Sequence, residues 1–241
     1  MEVLKFRLWG LGATFKRPHT NTANFTYSHI HVISLFGIFG AMLGLKGHRD
    51  KSKGEAYPEF YEKLRGLKVA IVPSAPFFQK KMTTFTDTTN FSNTEGALIV
   101  KEQSLINPSW DIYVAKGTVD EEIYNRLVDA LQNKEAVYTP FLGKNHFPCE
   151  IDNFEIVELE KVETEDIECI HSLFKLDDFE IGDTMDFETE EYEFKEYMPI
   201  RLTPNLNYYE ETILCLTNKE VTPKTDKVEV FFHLDRYLYF L

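Results

Sequence analysis

Cysteine is scarce in this sequence. There are three in 241 residues, Cys149, Cys169 and Cys215, and they lie far apart. No Cys-x-x-Cys occurs, so neither a zinc ribbon nor a local disulfide framework is encoded. The three read as inert thiols in a reducing cytoplasm. Long hydrophobic runs are missing too. The longest, Ile30 to Leu45, contains a histidine and a serine and falls short of the roughly 20 residues that cross a bilayer. It reads as a buried helix. The opening Met-Glu-Val-Leu-Lys-Phe-Arg has no basic region ahead of an apolar run, so the expectation is a cytoplasmic chain with no secretory signal and no membrane contact. Motifs that carry chemistry are equally thin. His29-x-His31 puts two imidazoles on one strand face without a third ligand. There is no Gly-x-Ser-x-Gly and no phosphate loop. Neither a metal nor a cofactor is expected.

What is present is apolar and aromatic. The chain is 43% hydrophobic with 20 Phe and 12 Tyr, enough for a real core and against disorder. Charge is distributed unevenly. Residues 1–149 carry 18 Lys+Arg against 14 Asp+Glu, whereas residues 150–241 carry 8 against 25. The first half can approach phosphates. The second half would repel them, and is expected to face solvent or a basic protein surface.

Periodicity locates the elements. Leu4, Phe6 and Leu8 alternate with Lys5, Arg7 and Trp9, a strand with one buried face and one cationic, indole-bearing face. A helix over about 34–45 follows, with Ser34 as its expected N-cap and Gly47 just past its end. Lys68–Pro73 reads as a buried strand. Ala97–Lys101 and Trp110–Ala115 read as strands expected to pair with each other. Thr118–Asn133 reads as a second helix, opened by Thr118 and Glu121 at capping-box spacing and striped by Val119, Ile123, Leu127, Val128 and Leu131. The order strand–helix–strand, strand–helix–strand is that of a split βαβ, ferredoxin-like or RRM-like α+β domain, whose open sheet face serves RNA recognition elsewhere. This domain is expected over 1–148, with an insertion at about 77–96. An acidic, β-rich C-terminal domain is expected over 149–241, with strand candidates at 154–162, 207–217 and 228–241.

Several groups of residues suit RNA. The loop with Lys16, Arg17, His19, Thr20, Asn21, Thr22, Tyr27 and His29 combines cations for phosphates, small hydrogen-bonding groups for base edges and rings for stacking. It follows the strand that carries Arg7 and Trp9. Gly37, Gly40 and Gly44 form one side-chain-free helix face, each at a cost of about 1 kcal/mol relative to Ala, so something approaches closely: the domain's own sheet, an RNA backbone or a neighbouring subunit. The segment 77–94, with Lys80 and Lys81 at its base, is either a protruding β-hairpin or a surface loop. The carboxylates of Asp177, Asp178, Glu188, Glu190 and Glu191 read as a solvated face. Metal-independent RNA cleavage needs a general base, an acid and a cation; Tyr27, His29, Lys144 and His146 are the available groups.

These residues also carry a family resemblance. The opening Phe-Arg-Leu-Trp-Gly, the Thr-rich loop and Ser-Leu-Phe-Gly-Ile-Phe-Gly-Ala-Met-Leu-Gly at 34–44 resemble CRISPR-associated protein family five, a RAMP-superfamily subunit of type I effector complexes. Leu105-Ile-Asn-Pro-Ser-Trp-Asp-Ile-Tyr-Val114 and Pro140-Phe-Leu-Gly-Lys-Asn-His-Phe-Pro148 resemble two further family segments. The resemblance covers about residues 3–148 and looks nearest to the subtype I-B branch. It implies a ferredoxin-like domain with a protruding thumb hairpin and a small β-rich C-terminal part. It implies a grip on the 5′ handle of a CRISPR RNA, contacts with the backbone subunit and with the large subunit that reads the protospacer-adjacent motif, and indirect contact with target DNA. Carried over, the handle-binding loop falls at Lys16 to Tyr27, followed by Gly37 and Gly40. The thumb falls within Phe77 to Thr94, on Lys80, Lys81, Met82, Thr83, Thr84 and Phe85. Lys144 and His146 complete the expected RNA-binding set. One branch of the family cleaves precursor RNA with a Tyr and an adjacent Lys-His pair. This sequence has Lys144-Asn-His146 instead, so the expectation is a non-catalytic subunit. An endoribonuclease using Tyr27, Lys144 and His146, or a pure protein adaptor, are the alternatives.

Overall fold

The structure, a computed structural model, describes residues 1–18, 20, 23–87, 98–184 and 190–241. The alternation at the start of the chain builds β1 (Glu2–Trp9), with Leu4, Phe6 and Leu8 fully buried. A short β2 (Gly12–Ala13) follows, then α1 (Val32–Leu43). The N-cap of α1 is His31, whose ring Nδ1 accepts from Ser34 N–H at 3.2 Å, so the expected cap, Ser34, sits inside the first turn instead. Its C-terminal residue in the left-handed region is Gly44 rather than Gly47. A second short helix, α2 (Glu59–Leu64), was not legible in the sequence; it is opened by Pro58 and buries Phe60, Tyr61 and Leu64. Then come β3 (Val69–Pro73), β4 (Lys80–Asp87), β5 (Leu98–Ile106), β6 (Ser109–Ala115) and α3 (Glu121–Asn133). The cap of α3 is Asp120, which accepts from the N–H groups of Glu122 and Ile123. Thr118, the expected cap, instead donates to the Ala115 carbonyl at 3.2 Å.

β7 (Glu150–Glu158) joins β1, β3 and β6 in a four-stranded sheet of order β3-β6-β1-β7, every neighbouring pair antiparallel. β1 and β3 are therefore parallel, with β6 between them. α1 and α3 bury Phe36, Phe39, Ile123 and Leu127 against Leu4, Phe6, Ile71 and Ile112 on one face of the sheet. β5 and β6, expected to pair, diverge at Asn107, which takes a positive φ of 46° ahead of Pro108. Fully buried Trp110, Ile112 and Val114 draw β6 into the core sheet, while β5 pairs with β4 and β2 in a separate hairpin sheet.

The acidic half continues as β8 (Glu160–Val162), β9 (Phe174–Lys175), β10 (Phe179–Thr184), β11 (Glu193–Leu202), β12 (Tyr209–Thr217), β13 (Lys219–Pro223), β14 (Val230–His233) and β15 (Arg236–Tyr239). These form small antiparallel sheets: β9-β12-β11, β10-β13 and β8-β14-β15. The boundary expected at 148/149 falls just before a strand of the first sheet. The face expected to lie open is half covered, because Leu238, Phe231 and Phe240 pack on Val3, Ala70, Val72 and Tyr113. The β11–β12 hairpin also joins the first core through Phe194, Met198, Leu214 and Leu216. Among the described residues, no helix is long and apolar enough to cross a membrane.

Candidate nucleic-acid interface

Residues 14–18 and 23–29 run back along each other. Lys16 and Thr26 form an antiparallel bridge, and the N–H groups of Arg17 and Tyr27 donate to the carbonyls of Phe25 and Phe15, each at 2.9 Å. The loop is then tied to β5. Asn24 N–H donates to the Lys101 carbonyl at 2.8 Å, Gln103 N–H to the Asn24 carbonyl at 2.9 Å, and the Thr14 hydroxyl to the Gln103 carbonyl at 3.3 Å. Lys80 Nζ donates to the Ser28 hydroxyl at 2.8 Å, fixing the base of β4 to the end of the loop. Partial burial, and secondarily the Arg17 cation, lower the Lys80 ammonium from its ordinary value. Loop and hairpin thus form one unit.

Cross-strand register sorts the side chains of the hairpin. Lys81, Thr83 and Phe85 point to one side of the hairpin; Met82 and Thr84 point to the other, where Thr84 faces Lys101. Met82 and Phe85 are 45% exposed and Ile99 62% exposed, with Lys16, Lys81, Lys101 and Phe25 also at the surface. Lys16, Lys81 and Lys101 have no carboxylate partner among the described residues. Each face of the hairpin therefore sets a lysine beside exposed apolar side chains, Lys81 with Phe85 and Lys101 with Met82 and Ile99, the combination that base stacking with phosphate contact requires.

Behind this surface the loop is anchored on the acidic half. Arg17 is ion-paired to Glu196, its guanidinium 5.4 Å from the Tyr27 ring centroid. The Tyr27 hydroxyl donates to Glu211. Burial, then that hydrogen bond, raises the phenol far above its ordinary value. Thr20 donates to the Arg17 carbonyl at 3.3 Å. His19, Asn21 and Thr22 lie outside the described residues. Tyr27 and His29, both expected to touch RNA, are 2% and 0% exposed. His29 is a core residue: its Nε2 donates to the Pro76 carbonyl at 3.0 Å and its Nδ1 accepts from Trp110 at 3.4 Å. Desolvation brings it to about 4, so it is neutral.

No protein-family model and no curated protein matches the sequence. Solved structures do match. A chain described as "CRISPR RNA-guided surveillance complex" aligns over 93% of this chain and 92% of its own length, at a TM-score of 0.51 and 14% identity. A CRISPR protein from Archaeoglobus fulgidus aligns over 99% and 98%, at a TM-score of 0.50 and 11% identity. The fold is shared with CRISPR proteins. The correspondence runs through the acidic half as well as the first sheet, since nearly the full length of each chain is covered.

The other expected residues sit apart from the loop–hairpin surface or are engaged. Arg7 forms a bidentate pair with Asp152 on β7 (2.7 and 2.6 Å), and Trp9 Nε1 donates to the same carboxylate at 3.0 Å. That hydrogen bond from Arg7 is the main reason the Asp152 carboxyl lies below its ordinary value. Lys144 is ion-paired to the buried Glu102, while His146 is exposed and packs on Phe147 at 4.2 Å between ring centroids. The hydrogen bonds of Tyr27 and Lys144 therefore go to different carboxylates. Gly40 lies against α2: an added Cβ would meet Phe60 Cβ at 2.6 Å. At Gly37 an added Cβ would meet nothing within 4 Å, and this glycine borders an open cleft with Ser34, Lys46, His48, Tyr138 and Phe141. Among the described residues, no group of His, Cys, Asp or Glu has the placement of a metal site. Sequence reading missed Ile99 and Lys101, which the strand register puts on one face of the hairpin, and Phe25, which follows the Asn24 bridge to β5. It also missed Glu196 and Glu211, which were absorbed into a general acidic background.

Proposed function

We propose that this chain is a non-catalytic RNA-binding subunit of a type I CRISPR ribonucleoprotein, gripping the 5′ handle of the CRISPR RNA with the loop–hairpin surface. The observation that carries this reading is the joining of the 14–29 loop to the β4–β5 hairpin. Together they put exposed cations and exposed apolar side chains on the two faces of one loop–hairpin unit, within a fold shared with an RNA-guided surveillance complex. The β3-β6-β1-β7 order with α1 and α3 on one face is read as a ferredoxin-like split βαβ, and the β4–β5 hairpin as its thumb. Lys80, Lys81, Met82, Thr83, Thr84 and Phe85 would meet the guide–target duplex through shape and stacking rather than sequence, because base pairing carries the sequence in such complexes. The acidic strands would face the neighbouring subunits, which the resemblance gives as the backbone subunit and the large subunit, in the cytoplasm and nearest to subtype I-B.

Catalysis is not part of the proposal. The phenol of Tyr27 is buried and committed to Glu211, and the Lys144 ammonium is committed to Glu102, so neither is poised at an accessible phosphate. The test is to incubate the purified chain with 5′-labelled CRISPR repeat RNA and run native and denaturing gels of the same samples. A native shift with intact RNA, weakening steeply as salt rises, is expected. No shift at low salt would favour the adaptor alternative. A discrete cut lost in His146→Ala would overturn the non-catalytic reading.

A further inference from the structure

Glu196 occupies a position where β11 calls for an apolar side chain. Along the strand, Phe194, Glu196 and Met198 point to the same side, and across from them on β12 stand Leu216, Leu214 and Thr212. Phe194, Met198, Leu214 and Leu216 belong to the main core. The Glu196 side chain is only 8% exposed. A carboxylate in such surroundings is costly unless it is fully engaged, and here both oxygens are used. Oε1 takes the Arg17 guanidinium and Oε2 accepts the Ser28 N–H at 2.8 Å. One carboxylate therefore holds both ends of the 17–28 loop. Arg17 is braced a second time by the Tyr27 ring, which Glu211 holds by its hydroxyl. The neighbouring ring contacts, His29 on Phe194 at 4.7 Å and His31 on Tyr209 at 5.4 Å, seat the loop on the same hairpin.

We propose that Glu196 is a positioning residue for RNA binding: the acidic half presets Arg17 at the surface, so that its 39% exposed side chain meets a phosphate without a search. This rests on the RNA-binding reading above. The opposite arrangement, in which a phosphate displaces Glu196 from Arg17, would leave a buried carboxylate without its cation, a state that is strongly disfavoured. The pair therefore persists in the complex. The consequence has a sign that simple charge counting gets wrong. Removing a negative charge beside an RNA site should tighten binding; removing this one should weaken it.

The experiment measures the affinity of the full chain for a 5′-labelled single-stranded CRISPR repeat RNA across a salt series. It compares the unaltered protein, Glu196→Gln, Arg17→Gln and the double variant. Gln at 196 can still accept from Ser28 N–H, so the substitution removes mainly the ion pair. The expected result is affinity lowered about tenfold in Glu196→Gln, with the slope of log K against log salt smaller by about 0.7, one phosphate contact on a single strand. In the Arg17→Gln background, Glu196→Gln should change affinity by less than about twofold, because the two act as one unit. Unchanged or tighter binding in Glu196→Gln would overturn the positioning role alone. So would a tenfold loss that persists in the Arg17→Gln background, which marks a general structural defect. Failure of the unaltered chain to bind would overturn the RNA-binding reading and this inference with it.

Discussion

His29 and His31 are the residues whose environments differ most from what the sequence suggested. Burial brings them to about 4 and about 3, against about 6.5 in an unfolded chain. Between those values the unfolded chain binds protons that the folded chain refuses, so stability is lost as pH falls below 6.5. Each histidine should contribute roughly 2 kcal/mol of that loss by pH 5. Urea unfolding at pH 7, 6 and 5 checks this, and a free energy that stays level over that interval would contradict the buried, neutral assignment. Lys144 makes a second case. It was a candidate catalytic cation, yet it neutralises Glu102, which is 5% exposed. Lys144→Ala should lower the unfolding free energy by about 1–3 kcal/mol by leaving that carboxylate unsatisfied. Unchanged stability would reopen a functional role for the lysine.

At the scale of elements, α1 carries two glycines with opposite physical meaning. Gly40 lets α2 approach, so Gly40→Ala should cost about 1–3 kcal/mol through overpacking against Phe60. Gly37 borders open space, so Gly37→Ala should raise stability by up to about 1 kcal/mol. Parallel melts of the two variants decide the matter, and a change of the same sign in both would refute it. The sequence made the three glycines equivalent, because spacing along a helix shows which residues share a face but not what meets each one. The same limit explains other differences. β1, α1, β3 and α3 were legible because their apolar residues repeat with the period of a strand or a helix. The partners of β5 and β6 were not, because pairing depends on which strand face has a buried place to go. α2 is too short for its period to register. The hairpin was legible only as an anomaly, a long polar segment with two lysines at its base, and its alternation of Phe85 and Met82 on opposite sides emerged from the register.

At the scale of the whole molecule, the acidic half is a cover and a brace rather than an appendage. It supplies β7 to the first sheet, packs Phe231 and Leu238 on the face opposite the helices, and holds the basic loop through Glu196 and Glu211. A fragment of residues 1–148 should accordingly show no cooperative melt, whereas an independently folding fragment would mean that β7 and its cover are dispensable. A net charge of −13 is by itself unfavourable for nucleic acid, and only its division between the halves allows that reading; that the negative half grips the positive one could not be seen without the fold. The most direct test of the central claim is crosslinking of a 4-thiouridine-substituted CRISPR repeat RNA to the full chain, with the crosslinked peptides identified by mass spectrometry. Crosslinks on residues 80–86 and around Lys16 and Phe25 are predicted. Crosslinks confined to the acidic strands, or none at low salt, would contradict the account.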